Sequence, residues 1–256
     1  MIHPSALISP KANIGTNVAI GAYTIVEDNV TIGDNSIIEP HVIVRSGTQI
    51  GANNHIYQFS SIGEHSQDRA YAGEASYLLI GDNNIIRESC VIHRGTDKDH
   101  NTTKIGNDNL IMSHCHVAHD CVLGNNITMA SYSALAGHVH IYDKAILGGA
   151  TLIHQYCHIG SYSMSAINTV ILKDVPAYVM VGGNVARERG MNYEGMRRLD
   201  YSQEQISSLR NAYRIVYRNS YTIGEALAKI DLLAQDDNNI KLFAASIHNS
   251  QRGITR

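Results

Sequence analysis

A six-residue period runs through most of this 256-residue chain. An aliphatic residue stands at eleven consecutive sixth positions, from Ile2 to Ile62. The pattern resumes at Ile80 and again, one residue out of phase, at Ile105, and it fades after Ile171. Neither an α-helix nor an alternating strand has a strict period of six. A three-sided coil does, because each hexad supplies a short strand, an inward aliphatic side chain and a turn. The repeat predicts a mainly β protein, a parallel β-helix.

Two breaks interrupt the period. Residues 64–79 keep the register but lack the aliphatic positions, and residues 97–104 shift it by one. Both are predicted to be loops projecting from the coil, where solenoid proteins commonly place function. Three hexads complete one rung, so residues eighteen apart should stack on neighbouring rungs, roughly 4.8 Å from each other.

The composition, 44% hydrophobic, fits a protein without membrane association, since no apolar run approaches the length of a membrane span. The N-terminus lacks the basic and apolar regions of a secretory signal, so we expect a cytoplasmic protein. The cysteines show no Cys-x-x-Cys pair and are predicted to be small buried side chains: Cys90, Cys115, Cys121 and Cys157.

The tail, residues 185–256, is predicted to be a helical domain after a β-helical domain of residues 1–184. Capping boxes begin at Ser202 and Thr222, and a third helix should start near Asp237. No stretch is basic enough to indicate nucleic-acid binding. On the first helix, one basic stripe fits either a solvated face or a docking surface for an acidic protein: Arg210, Arg214 and Arg218.

The stacking interval places two pairs of residues side by side. Gly137 lies eighteen residues after His119, His138 lies eighteen after Asp120, and Gln155 continues the first column. A histidine beside a free backbone N–H suits acyl transfer, with the imidazole as general base and the amide as oxyanion donor. Asp120 would fix the tautomer of His119. With no Ser or Cys nucleophile motif, direct transfer is the simpler mechanism.

Seven short runs along the chain match one known family. They are Ile56-Tyr57-Gln58-Phe59, Tyr71-Ala72-Gly73-Glu74, Ile92-His93-Arg94-Gly95-Thr96, His116-Val117-Ala118-His119-Asp120, Leu135-Ala136-Gly137-His138-Val139, Asn192-Tyr193-Glu194-Gly195 and Arg210-Asn211-Ala212-Tyr213. Over essentially its whole length the sequence resembles the UDP-N-acetylglucosamine O-acyltransferases of lipid A biosynthesis, which belong to the hexapeptide-repeat transferases.

The resemblance implies a left-handed coil and a homotrimer with active sites between subunits. It implies transfer of a (3R)-hydroxyacyl group from acyl carrier protein to the glucosamine 3-hydroxyl of UDP-N-acetylglucosamine, the first step of lipid A biosynthesis. His119 would be the base and Gly137 N–H the oxyanion donor, without cofactor or metal. Because the carrier protein is acidic, the arginine stripe would be its dock.

The family also implies a set of substrate contacts. The matching residues are Gln67, Asp68, His116, His138, His154, Gln155, Asn192, Glu194 and Arg198. Ala70 stands where the family often has a lysine, so that contact is lost unless Arg69 replaces it. Leu199 stands where a second basic residue often follows.

Ile167 departs from members that carry glycine there and accept a fourteen-carbon chain. A branched side chain should fill the floor of the acyl groove, because forcing extra methylenes past it costs about 1–3 kcal/mol. We therefore expect a donor of about twelve carbons, or ten.

Three alternatives remain at this point. One is the N-acyltransferase later in the same pathway, which carries an extra N-terminal domain, whereas these hexads begin at Ile2. A second is a zinc enzyme of the γ-carbonic anhydrase type, using His114 and His119 with a third histidine from a neighbouring subunit. The third is a non-catalytic structural β-helix.

Overall fold

The computed structural model describes residues 1–256 and contains 27 strands and four helices. The strands are β1 (Leu7–Ile8), β2 (Asn13–Ile14), β3 (Ala19–Ile20), β4 (Ile25–Val26), β5 (Thr31–Ile32), β6 (Ile37–Ile38), β7 (Ile43–Val44), β8 (Thr48–Ile50), β9 (His55–Ile56), β10 (Ser61–Glu64), β11 (Tyr77–Ile80), β12 (Ile85–Ile86), β13 (Val91–His93), β14 (Thr102–Ile105), β15 (Leu110–Ile111), β16 (His116–Val117), β17 (Val122–Leu123), β18 (Thr128–Met129), β19 (Ala134–Leu135), β20 (His140–Ile141), β21 (Ile146–Leu147), β22 (Leu152–Ile153), β23 (His158–Ile159), β24 (Met164–Ser165), β25 (Val170–Ile171), β26 (Val179–Gly182) and β27 (Arg187–Met191). The helices are α1 (Tyr193–Arg198), α2 (Gln203–Tyr217), α3 (Ile223–Leu233) and α4 (Asn238–His248).

Every third strand belongs to the same flat face of the coil. The first face runs in the order β1-β4-β7-β10-β13-β16-β19-β22-β25, and the other two faces repeat the pattern one and two strands later. Neighbours pair in parallel, as in Ile8 opposite Val26 and Val117 opposite Leu135. These partners are eighteen residues apart, so the predicted stacking interval is confirmed along the uninterrupted parts of the coil, except at the last rung, where Met164 lies opposite Met180.

The core is the column of inward aliphatic side chains. Ile32, Ile38, Ile56 and Ile62 are each at most 1% exposed. The cysteines lie in the same interior as free, buried thiols, as predicted. Burial raises the pKa of Cys115 to about 11, so this thiol stays protonated at neutral pH.

The corners of the triangle hold residues in the left-handed region of backbone space. His114, Asp120 and His138 have φ values of 60°, 58° and 60°. Corner N–H groups donate to the turn of the preceding rung, as from His138 to the carbonyl of His119 at 3.1 Å. These inter-rung hydrogen bonds compensate for the unfavourable backbone conformation that a non-glycine residue adopts there.

Both register breaks are loops, with bounds that differ from the prediction. The first spans residues 65–76, because residues at both predicted ends belong to β10 and β11. The second spans residues 94–101, so residues 102–104, predicted to be loop, belong to β14 instead. Across them the partners are thirty residues apart (Ile62 and Ile92) and then twenty-five apart (Ile92 and Val117).

Beyond the coil, the predicted helices are present as α2, α3 and α4. Ser202 and Thr222 form the expected capping boxes, and Asp237 caps α4. Hairpin β26–β27 and helix α1 were not predicted. The division at residues 184 and 185 stays a prediction, since it falls in the turn of this hairpin. None of the helices combines the length and apolar character that crossing a bilayer requires.

The turn at Gly33 leaves no room for a side chain. A Cβ there would lie 2.5 Å from the carbonyl carbon of Gly51 on the next rung. We expect Gly33→Ala to lower the free energy of unfolding by about 1–3 kcal/mol, measured by chemical denaturation at fixed protein concentration. The control is Gly224→Ala, where a Cβ would meet nothing within 4 Å. Equal destabilisation in both variants would contradict the argument.

Candidate active site

The corner that follows β16 carries a histidine–carboxylate pair. His119 Nδ1 lies 2.9 Å from Asp120 Oδ2, and the two side chains are 14% and 1% exposed. Burial alone would raise the pKa of Asp120, but hydrogen bonds from His119 and Thr96 hold it below its ordinary value. The carboxylate is therefore ionised at neutral pH and accepts from His119 Nδ1–H, which leaves Nε2 as the basic nitrogen.

Gly137 lies directly beside this imidazole, as the stacking interval predicted. A Cβ on Gly137 would fall 2.5 Å from His119 Cε1 and 2.7 Å from Nε2, so glycine alone fits there. Its N–H makes no hydrogen bond within the chain. A reacting atom next to Nε2 would therefore have a free donor close by, the arrangement that an oxyanion requires.

His138 stacks beside the pair, also as predicted. Its ring is perpendicular to that of His119, with centroids 5.1 Å apart, and lies parallel to that of Tyr156 at 4.4 Å. Its Nε2 is 3.8 Å from Asp120 Oδ2, and its Nδ1 is 3.2 Å from Asp99 Oδ2. Two carboxylates thus fix the plane of this imidazole.

Three contacts from the second loop were missed by the sequence analysis. Thr96 donates two hydrogen bonds to Asp120. Asp99 Oδ2 contacts His138 Nδ1. Lys98 Nζ lies 2.6 Å from Asp68 Oδ2 in the first loop. The only signal in the sequence was the register break itself. The cation beside Asp68 is therefore Lys98, whereas Arg69, the replacement considered for the lysine missing at position 70, makes no ion pair.

These groups surround one pocket of about 520 Å³. Its lining residues are Gln67, Asp68, Lys98, His116, Ala118, His119, Ala136, His138, Gln155 and Tyr156. Six of the twelve residues predicted for catalysis and substrate binding thus line it, and two more, Asp120 and Gly137, adjoin His119 directly.

His154 lines a neighbouring apolar groove of about 390 Å³ on the first face. His116 belongs to both cavities, so the groove adjoins the pocket. Leu152, Val170 and Leu172 contribute its apolar wall. An acyl chain is the kind of ligand that such a wall accommodates.

The other three predicted substrate residues lie in α1 or at its N-cap, outside the pocket of their own chain. Asn192 caps the helix, accepting from Gly195 N–H, and is 6% exposed. Glu194 and Arg198 pair with each other at 3.2 Å on the exposed surface.

The zinc pair of the carbonic-anhydrase alternative does not form within the chain. His114 stacks on Tyr132 at the corner that precedes β16, whereas His119 lies at the corner that follows it. His119, Asp120 and His138 do bring ligand atoms within 4.8 Å of one another. However, both oxygens of Asp120 already accept hydrogen bonds, so the trio fits proton transfer better than metal ligation.

Ile167 and the arginine stripe also lie away from the pocket. Ile167 is 76% exposed in the turn before β25. Arg210 and Arg214 line an open polar groove on α2. Arg218 does not share that groove, because its guanidinium pairs with Glu188 at 3.0 Å.

A coil of hexapeptide repeats with a histidine–carboxylate pair at one corner defines the class of hexapeptide-repeat transferases. Residues 11–46 and 102–137 match the model described as "Bacterial transferase hexapeptide (six repeats)". Residues 174–255 match the model for domain 2 of "Udp N-acetylglucosamine O-acyltransferase".

Full-length relatives narrow the class to one family. The acyl-[acyl-carrier-protein]–UDP-N-acetylglucosamine O-acyltransferase of Stutzerimonas stutzeri is 51% identical, over 100% of this chain and 99% of its own. The UDP-N-acetylglucosamine O-acyltransferase structure from Moraxella catarrhalis is 47% identical, with a TM-score of 0.98, over 100% of this chain and 99% of its own. A homologous structure from Acinetobacter baumannii is 46% identical, with the same score and coverage. The chain belongs to the UDP-N-acetylglucosamine O-acyltransferases, and the predicted fold, a left-handed parallel β-helix with a C-terminal helical part, is confirmed.

His116 gives the site a measurable pH response. Burial, reinforced by His93 and His119 nearby, lowers its pKa from 6.5 to about 4. Because the unfolded chain binds this proton more readily, the stabilisation is complete above pH 6.5 and is lost as the pH falls through about 4. We expect the melting temperature of His116→Gln to fall less over this range than that of the wild type. His3→Gln, at the exposed N-terminus, is the control, and a decline in His116→Gln as steep as in the wild type would contradict the assignment.

Proposed function

We propose that this protein transfers a (3R)-hydroxyacyl group from acyl carrier protein to the glucosamine 3-hydroxyl of UDP-N-acetylglucosamine, as the first step of lipid A biosynthesis in the cytoplasm. The names of the relatives support the carrier-protein donor and the sugar-nucleotide acceptor. The observation that carries the proposal is the unpaired N–H of Gly137 beside the imidazole of His119.

In this mechanism the substrate hydroxyl loses its proton to His119 Nε2 as its oxygen attacks the thioester carbonyl. Gly137 N–H donates to the oxygen of the tetrahedral intermediate, and Asp120 stabilises the imidazolium through Nδ1. The thiolate of the carrier then leaves and takes up the proton from the imidazolium. The thiols of the chain are buried and none lines the pocket, which supports direct transfer rather than an acyl-enzyme.

Substrate recognition is assigned to the pocket and its rim. Gln67, Asp68, His116, His138 and Gln155 line the pocket, so their sugar or acyl-hydroxyl contacts are supported by position. We add Lys98, because its ammonium is the one lysine or arginine charge in the lining.

A homotrimer would supply the contacts that one chain lacks. Asn192, Glu194 and Arg198 do not line the pocket of their own chain. We propose that α1 of a second copy brings them to the sugar nucleotide, with Arg198 on the diphosphate. Glu194 and Arg198 are exposed enough for this, with side chains 63% and 76% accessible.

The carrier protein is proposed to dock on α2. Arg210 and Arg214 present unpaired guanidinium groups in an open groove, which suits an acidic partner. Arg218, the third member of the predicted stripe, is held by Glu188 and contributes less, because docking would have to break that pair.

The decisive experiment offers purified protein UDP-N-acetylglucosamine with hydroxyacyl carrier proteins of several chain lengths, with the product detected by mass spectrometry. We expect transfer, and a loss of about 10²–10⁴-fold in kcat for His119→Ala, because a general base is removed. His114→Ala, a change at the other corner, should retain wild-type activity. Removal of metal ions with a chelator should leave the activity of the wild type and of this variant unchanged. Absence of transfer at every chain length would overturn the proposal, and loss of activity on chelation would favour the zinc mechanism.

Ile167 is proposed to limit the donor to about twelve or ten carbons. It precedes β25. On the same face of the coil, β25 lies three rungs from β16, the strand that carries His116, which is a distance of about 14 Å. In a single chain Ile167 is exposed, so it would form a groove floor only against a second copy.

We expect Ile167→Gly to raise the rate with a fourteen-carbon donor relative to the twelve-carbon donor by about tenfold, because a steric cost of about 1–3 kcal/mol is removed. Competition between the two donors in one reaction measures this ratio directly. Ile37→Gly replaces an isoleucine that is also exposed, but near the N-terminus, and should leave the ratio unchanged. An unaltered ratio in Ile167→Gly would exclude this residue as the limit.

A further inference from the structure

The run from Ile92 to Thr96 is one of those that match the O-acyltransferase family, yet none of its residues has a part in the mechanism above. We propose that Thr96 is a positioning residue: it orients the Asp120 carboxylate so that His119 presents Nε2 to the substrate hydroxyl. The inference rests on the proposed general-base function of His119 and adds a third member to the pair.

Thr96 holds both oxygens of the carboxylate. Its backbone N–H donates to Asp120 Oδ1 at 2.9 Å, and its hydroxyl donates to Oδ2 at 2.6 Å. Thr96 is 1% exposed and Asp120 2% exposed, so water competes little for these bonds. A carboxylate only accepts, so the direction of each bond is fixed. Together they prevent rotation of the carboxylate about its last torsion.

The orientation of the carboxylate determines which nitrogen of His119 is basic. Asp120 Oδ2 also lies 2.9 Å from His119 Nδ1, so this nitrogen carries the proton. Nε2 then keeps its lone pair, and Gly137 lies beside this ring. If the carboxylate rotated, His119 could adopt the other tautomer, in which Nε2 carries a proton and cannot act as a base.

The local backbone is built to bring Thr96 to this place. A Cβ on Gly95 would lie 2.1 Å from the backbone nitrogen of Thr102, so glycine is required where the loop folds back on β14. Asn101 N–H donates to the Thr96 carbonyl at 3.1 Å and closes the loop. From the other side, Asp120 N–H donates to the Thr103 hydroxyl at 2.8 Å. The loop therefore fixes the carboxylate of Asp120 through Thr96, and β14 fixes its backbone through Thr103.

The test compares Thr96→Val, which removes one donor at nearly constant volume, with Thr96→Ser, which keeps it. We expect Thr96→Val to lower kcat about tenfold, the effect of losing one hydrogen bond to a charged group, with the KM of each substrate within about twofold of the wild type. Thr96→Ser, which keeps the hydroxyl donor, should have the wild-type kcat. Thr24→Val is the matched control, because it removes another fully buried hydroxyl, bonded to the Glu39 carbonyl far from the site.

Wild-type kcat in Thr96→Val, or an equal loss in Thr24→Val, would overturn the proposal. A measurement on the wild type needs no variant and no activity: nitrogen-15 NMR of labelled histidine, with His119→Gln used to assign the signal. We expect neutral His119 to be protonated at Nδ1, and a majority of the Nε2–H tautomer would overturn the positioning role. If the wild type transfers acyl groups but these results are not obtained, only the role of Thr96 is overturned. If the wild type transfers no acyl group, the proposed function itself fails.

Discussion

The parallel hydrogen bonding between successive rungs is the constraint on which the rest of this structure depends. Most strands have only two residues, so none would be stable alone. Each strand inside the coil pairs with the strand above and the strand below, and the corners between them adopt a left-handed conformation that few non-glycine residues favour. Cooperative stacking offsets that cost, because every rung buries its aliphatic residues against the next. A coil of this kind therefore fixes the position of each side chain along its axis to within one rung.

This rigidity explains how two residues eighteen apart can form the proposed catalytic pair without any loop to place one beside the other. The corner after β16 places His119 against the backbone of Gly137, and the rung hydrogen bond from His138 to the His119 carbonyl locks the spacing. The turn N–H groups of His119, Gly137 and Gln155 are all unpaired, so a free donor is a general property of this corner. Only Gly137 combines that donor with the absence of a Cβ. The coil thus places a free N–H group at the same turn of successive rungs, and the absence of a Cβ at Gly137 makes one of these groups accessible.

The sequence allowed the fold and the two stacked columns to be predicted because they follow from a period. It did not allow Thr96, Lys98 or Asp99 to be placed, because the loops change the stacking interval from eighteen residues to thirty and then twenty-five. An interval that includes an insertion cannot be extrapolated from the repeat. The ion pair of Arg218 could not be foreseen for a related reason. Its partner Glu188 lies in the β26–β27 hairpin, where the period has already ended.

The division between coil and loops also explains why a lysine can be absent from position 70 while a positive charge remains. The first loop carries Asp68 over the pocket, and the second loop, entering from a later rung, brings Lys98 to it. Loops tolerate such exchanges because their backbones are not bound to the rung register. The proposed base cannot be relocated in the same way, since His119 and Gly137 must lie on adjacent rungs at one corner. The proposed substrate contacts on the loops can therefore change without disturbing the coil, whereas the geometry of the proposed proton transfer is fixed by the coil.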